Sequence, residues 1–168
     1  RANKRKTINA AEFEVHFESK LFVLQRELQS HSYKPGQSIC FVVNKPKLRE
    51  IFAADFRDRI VHHILVGYLE KIWESKFIGQ SYACRQERGT HLALQDLKKY
   101  LAKASFGGKK EIYYLQLDIR SFFVSLDKDI LFAIIKKQVK NKEILWLAKT
   151  IIYHNPTENY FKKGQMSL

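Results

Sequence analysis

Eleven consecutive residues, Tyr113-Tyr114-Leu115-Gln116-Leu117-Asp118-Ile119-Arg120-Ser121-Phe122-Phe123, set the tightest limit on the fold. They read as a strand that carries one carboxylate at its end and a large aromatic five residues further on. Side chains alternate across a strand, so Tyr114, Gln116 and Asp118 share one face while Tyr113, Leu115, Leu117 and Ile119 share the other. One face can be buried and the other can present an acid to a cleft. Around such a strand the chain reads as α+β, with helices packed on a small antiparallel sheet and a separate hairpin.

Charge narrows what the acid could face. The 168 residues include 30 Lys and Arg against 17 Asp and Glu, a formal net charge of +13. That excess favours a polyanionic partner, nucleic acid before an anionic membrane surface. No apolar run approaches the length of a membrane span, and no membrane partner is expected. Cys40 and Cys84 stand far apart without the paired spacing of a zinc site. They read as buried thiols in a reducing, cytoplasmic compartment. The chain has no initiator Met, and a trimmed piece of a longer gene product is expected.

The periodicity predicts a first helix over about residues 8 to 31, with Phe13, Phe17, Leu21, Leu24 and Leu28 at helical spacing. Lys34-Pro35-Gly36 ends it. Residues 38 to 43 and 48 to 53 read as strands joined by an Asn44-Lys45-Pro46-Lys47 turn, a hairpin with a basic tip. Asp55 caps the next helix, with Asp58 in its first turn and Ile60, Ile64, Tyr68 and Ile72 along one face, widened by Val61, Leu65 and Leu69. Residues 77 to 88 are irregular. Gly89-Thr90 opens a helix whose Leu94, Leu97 and Leu101 face inward, and Gly107 to Lys110 form a loop into the central strand. Asp127 and Asn141 cap two further helices.

Asp118 is the sharpest catalytic candidate. Joining nucleotides with two metal ions needs carboxylates bridging magnesium ions about 4 Å apart, and one acid does not complete that geometry. The plain alternative is an Asp that hydrogen-bonds a turn; the basic charge and Phe123 favour the metal. A bulky ring at Phe123 suits exclusion of a ribonucleotide 2′-hydroxyl, with core packing as its alternative, and one of Phe122 and Phe123 is expected in the core. Lys45, Lys47 and Arg49 share one face of an extended hairpin strand. They either grip a triphosphate or template phosphates, or protect a sheet edge by charge. Arg57 and Arg59 flank Asp58 and either contact phosphate or form local ion pairs. Arg85 and Arg88 precede a helix N-terminus, a natural anion site. His62 and His63, adjacent on a helix, point to different faces.

Taken in order, three blocks resemble reverse transcriptases of the bacterial group II intron type and related retroelement and defence enzymes. Arg49 to His63 looks like a basic fingers strand followed by an Arg-Asp-Arg helix start. Phe77-Ile78-Gly79-Gln80-Ser81-Tyr82-Ala83-Cys84-Arg85 is similar to that family's Phe…Ser-Tyr-x-x-Arg segment. Leu117 to Phe123, followed by Ser125-Leu126-Asp127, resembles the first catalytic motif of the palm. The resemblance covers about residues 45 to 130.

That resemblance implies the fingers (residues 1–85) and an incomplete palm (86–168) of a right-hand RNA-directed DNA polymerase. Asp118 would be a catalytic Mg2+ ligand and the Ile119 carbonyl a second oxygen donor. Phe123 would gate against ribonucleotides. Lys47, Arg49 and Arg57 would meet the incoming triphosphate, leaving Lys45, Arg59, Arg85 and Arg88 as nucleic-acid contacts. Partners would be an RNA template, a DNA or RNA primer and dNTPs. The family's second catalytic motif, an aromatic-x-Asp-Asp turn, does not occur in the 168 residues. The chain alone is therefore expected not to polymerise, and its unfinished sheet is expected to self-associate. The alternative is a non-catalytic, maturase-like or defence-associated RNA-binding module; a basic protein-interaction domain is a third.

Overall fold

A computed structural model describes residues 13–45, 48–158 and 160–162. The chain is α+β. Its elements run α1 (Phe17–Gln29), β1 (Ser38–Val43), β2 (Arg49–Ala53), α2 (Phe56–Trp73), a 3-10 turn (Glu74–Lys76), α3 (Thr90–Ala104), the single-turn α4 (Phe122–Ser125), α5 (Lys128–Gln138), α6 (Lys142–Ile152) and β3 (Tyr160–Lys162). Two compact units result. One joins residues 1–68 with 127–168, the other is residues 69–126. This division does not follow the 85/86 boundary read from the sequence.

The first unit holds a three-stranded sheet of order β2-β1-β3. β1 and β2 pair antiparallel, with Ile39 opposite Ala53 and Val43 opposite Arg49, as the hairpin pattern predicts. β3 adds a parallel strand on the other side of β1, with Ser38 opposite Tyr160. The sheet is therefore mixed rather than purely antiparallel. Helix starts follow local chemistry. The Asp55 carboxylate accepts from the Arg57 amide at 2.9 Å. Asp127 accepts from the amides of Asp129 and Ile130, and Asn141 from those of Glu143 and Ile144. Each cap satisfies amides that have no partner within the helix.

The long first helix departs from expectation. Residues 13–15 are helical, the helix is interrupted at His16, and α1 then runs to Gln29, short of the Lys-Pro-Gly stop. The predicted start at residue 8 lies outside the described residues. After α1 the backbone turns through His31 at φ 56°, and Tyr33 drops into the core.

The core of this unit is Phe13, Leu24, Tyr33, Cys40, Val61, Leu65, Ile135, Val139, Leu147 and Ala148. On α2 the buried line is Asp58, Val61 and Leu65, not the stripe through Ile60 and Ile64; Ile64 is half exposed. The reason is Asp58. Its carboxylate is 2% exposed and accepts from the Tyr33 hydroxyl at 2.7 Å and the Gly36 amide at 2.8 Å. Buried charge must be satisfied, so the helix turns this line inward. Burial and the bond to Asp58 push the Tyr33 phenol well above its ordinary range. A raised pKa means that Tyr33 supports folding up to about pH 10, its unfolded value, and that this support is lost at higher pH. We expect alkaline unfolding to begin near pH 10 and the Tyr33→Phe variant to flatten that slope, as read by far-UV circular dichroism against pH.

In the second unit Ser105 is the one buried residue among those described. Leu94, Leu97 and Leu101 of α3, expected to face inward, are 58%, 51% and 40% exposed. The predicted central strand is not formed. Residues 111–119 lie outside any strand or helix, and both faces are open: Tyr113, Tyr114, Leu115 and Leu117 are each more than 80% exposed. A strand is made by the ladder to its neighbours, and among the described residues nothing pairs with this segment. The same lack of cover leaves both Phe122 and Phe123 out of any core. Cys84, expected to be buried, is exposed, whereas Cys40 is buried.

Candidate functional site

Asp118 sits near the end of the open 111–119 segment with its side chain exposed. No hydrogen bond or ion pair engages it among the described residues. Ser121 then adopts a left-handed φ of 56°, which reverses the chain into the one-turn α4. Phe123 lies on that turn, 89% exposed, its ring edge-on to Phe122 at 5.3 Å between centroids. Acid and aromatic thus stand free on either side of a tight bend, available to a ligand or to further chain.

The residues present do not by themselves fit a two-metal centre. Among the described residues no group of three or more His, Cys, Asp and Glu side chains is placed to hold a metal ion. Asp118 offers one carboxylate, and the Ile119 carbonyl one further oxygen. Asp127 and Asp129, at the start of α5, are occupied there: Asp127 caps the helix, and Asp129 accepts from the Tyr153 hydroxyl, which raises the phenol's pKa.

The cationic candidates of the first unit differ in how far they are committed. Arg49 is exposed at the tip end of β2. Lys45 is exposed on the bend after β1, not within a strand, and Lys47 lies outside the described residues, so their common face is not seen. Arg57 is half-buried and pairs with Glu27, stacks over the Tyr33 ring at 5.2 Å and lines an open groove of about 290 Å³ with Phe13, Ser19, Lys20, Val23 and Asp55. An incoming phosphate would have to displace Glu27. Arg59 lies over the Phe56 ring at 5.4 Å, with its Nε buried and unpartnered among the described residues. His62 is held below the ordinary imidazole pKa by burial, which outweighs the pull of Asp58.

In the second unit Arg85 corrects the sequence expectation. Its side chain is 5% exposed. The guanidinium forks onto the Glu74 carboxylate at 2.6 and 3.0 Å and donates to the carbonyls of Ile78 and Ser81 at 3.1 and 3.0 Å. No edge is left for a phosphate; Arg85 fastens the irregular 77–88 segment to the end of α2. The alternation and helix-start signals gave no hint of this, because Glu74 stands eleven residues upstream. Arg88 donates to the Gly79 carbonyl and lies 6.0 Å over the Tyr82 ring. Tyr82 in turn donates to Asp96 at 2.9 Å; that bond and then Lys99 hold the Asp96 carboxyl below its usual range.

Removing the Arg85 fork takes the side-chain donor from the Ser81 carbonyl, while the Ile78 carbonyl keeps the Ser81 amide at 3.0 Å, so Arg85→Ala is expected to cost about 1 kcal/mol of local stability, read as faster amide exchange over residues 74–88. The hydrogen bond from Arg85 also holds Glu74 below its usual pKa. A depressed carboxylate stabilises at neutral pH and loses that effect as pH falls, so the variant should show a weaker acid-side dependence.

No protein-family model matches the chain. Curated proteins do. Protein YkfC of Escherichia coli (strain K12) is 27% identical over 147 residues, 86% of this chain and 38% of that protein. Nuclear intron maturase 1, mitochondrial, of Arabidopsis thaliana is 25% identical over 111 residues, 64% of the chain and 15% of the relative. The group II intron-encoded protein LtrA of Lactococcus lactis subsp. cremoris is 26% identical over 117 residues, 70% of the chain and 18% of the relative. The chain thus spans well under half the length of the curated relatives it matches, and its similarity to intron-encoded proteins and intron maturases is distant.

Proposed function

We propose that these residues are the fingers and the first part of the palm of an RNA-directed DNA polymerase of the intron-encoded kind. The observation that carries the reading is the exposed Asp118–Phe123 bend in a chain of net charge +13. Distant similarity to a group II intron-encoded protein supports it. In this reading Asp118 and the Ile119 carbonyl would hold a magnesium ion only together with carboxylates from outside these 168 residues. Bound magnesium would neutralise charge on the phosphates as nucleotides are joined. Phe123 excludes the ribose 2′-hydroxyl. Lys47, Arg49 and Arg57 hold the triphosphate, while Lys45, Arg59 and Arg88 hold nucleic acid. RNA template, primer and dNTPs are the partners. The cytoplasm is the proposed location.

The test is primer extension by the full-length protein with magnesium, an RNA template and dNTPs, where labelled DNA product is expected. Phe123→Ala should retain extension and raise ribonucleotide incorporation by roughly tenfold or more, since each ~1.4 kcal/mol of lost steric discrimination is a factor of ten. Equal selectivity in the variant would remove Phe123 from the sugar gate.

A second reading is favoured by the single carboxylate and by the distant similarity to a nuclear intron maturase. It is a non-catalytic RNA-binding module. It predicts salt-sensitive RNA binding with no extension in the full-length protein.

A further inference from the structure

Of the exposed aromatics of the second unit, Tyr113, Tyr114, Phe122 and Phe123 belong to the open segment and the bend that follows it. Phe106 does not. It stands on the turn that ends α3, 69% exposed, with a left-handed φ of 50°. That conformation strains a bulky L-residue and suits glycine, and glycines follow at 107 and 108 with φ 72° and 89°. The turn is held firmly beneath it. The Gly107 amide donates to the Ala102 carbonyl at 2.8 Å, and the Lys110 amide to the Ser105 carbonyl at 2.9 Å. The Gly108 amide donates to the Ser105 hydroxyl at 2.9 Å, and Ser105 itself is buried. The result is a hydrogen-bonded turn with a phenyl ring facing solvent. Folding gains nothing evident from keeping the ring there.

Three cations surround the ring in sequence. Lys103 stands one turn earlier, and Lys109 and Lys110 directly follow the glycines. All three are exposed, and none joins an ion pair among the described residues. Between Ser105 and Glu111 the ring is the one large apolar group, too little to anchor a protein in a bilayer. A flat apolar ring flanked by flexible ammonium groups matches an unpaired nucleotide, whose base stacks while its phosphates pair with lysines. A duplex offers phosphates but no free base face.

We propose that the Phe106 turn docks single-stranded RNA, one base stacking on the ring and adjacent phosphates meeting Lys103, Lys109 and Lys110. The proposal rests on the RNA-binding part of the function proposed above and is independent of the Asp118 chemistry. The test uses the full-length protein and fluorescence anisotropy with a labelled, unstructured 12-nucleotide RNA and a 12-base-pair RNA duplex. Phe106→Gly is expected to bind the single strand about tenfold more weakly, within the range found for stacked aromatics. Its duplex affinity should be unchanged, and its melting temperature unchanged or higher because glycine accepts the φ. Phe106→Trp should bind the single strand like wild type. The double variant Lys109→Gln, Lys110→Gln should weaken both and reduce the salt slope for the single strand by about 1.4, two contacts at about 0.7 each.

Wild-type single-strand affinity in Phe106→Gly overturns the proposal, as does equal loss on the duplex. A lowered melting temperature accompanying the loss would mean that the ring only packs. Dependence on Phe106 for binding anionic phosphatidylserine vesicles, without dependence for RNA, would make the partner a membrane and also overturn it. Should wild type bind neither RNA, the RNA reading of the whole chain falls with it; should wild type bind and the glycine variant match it, only this docking point falls.

Discussion

Asp118→Asn in the full-length protein is expected to lower primer extension by roughly a thousandfold or more while leaving RNA binding intact. Asparagine keeps the size and one oxygen but removes the negative charge that a magnesium ion requires. A metal ion contributes several kcal/mol of charge stabilisation, and each ~1.4 kcal/mol is a factor of ten in rate. Because the side chain is exposed and engages no other described residue, the substitution has little structural cost to confuse the result. The measurement is single-turnover extension beside RNA affinity and melting temperature. Extension at the wild-type rate would remove Asp118 from the chemistry. Absence of extension in both proteins, with salt-sensitive RNA binding in both, would favour the non-catalytic module.

Asp58→Ala carries the largest expected loss of stability. The carboxylate is buried and holds both the Tyr33 hydroxyl and the Gly36 amide, tying α2 to the segment between α1 and β1. Hydrogen bonds to a charged group contribute about 1.5–3 kcal/mol each, so losing two should cost about 3–6 kcal/mol. Against a typical total of about 5–15 kcal/mol, that is a large fraction. In Asp58→Asn the amide nitrogen would meet a donor, so a smaller but clear loss is expected, whereas Tyr33→Phe loses only one bond. Urea unfolding of the three variants should rank them Ala, then Asn, then Phe from least to most stable. An alanine variant as stable as wild type would show that the carboxylate is not what turns this line of α2 inward.

What the sequence disclosed about the fold was local. Asp55, Asp127 and Asn141 each bond amides two or three residues onward, so a single stretch contains both partners. The β1–β2 hairpin is similarly short-ranged. Asp58 looked like an acid placed for a helix dipole, because its true partners lie 25 and 22 residues upstream. Residues 113–117 alternate as a strand should, yet a strand depends on a neighbour that the pattern does not contain. Leu94, Leu97 and Leu101 form a stripe whose cover is likewise not encoded within the stripe. Of the candidate site, the sequence singled out Asp118 and Phe123, and both are exposed, but the bend between them, set by the left-handed φ of Ser121, was not foreseen. The fate of the arginines was not: Arg57 and Arg85 both pair with glutamates that spacing rules do not connect to them.

The first unit is discontinuous in the chain, and this shapes its synthesis. On the ribosome Leu24, Tyr33, Val61 and Leu65 emerge before residues 127–162, which bring Ile135, Val139, Leu147, Ala148 and the parallel β3. Until that later stretch arrives, β1 has an unguarded edge and these side chains have an unfinished shelter. Nascent chains stalled near residue 120 should therefore be protease-sensitive and should recruit chaperones, and protection should appear once residues through 162 have cleared the exit tunnel.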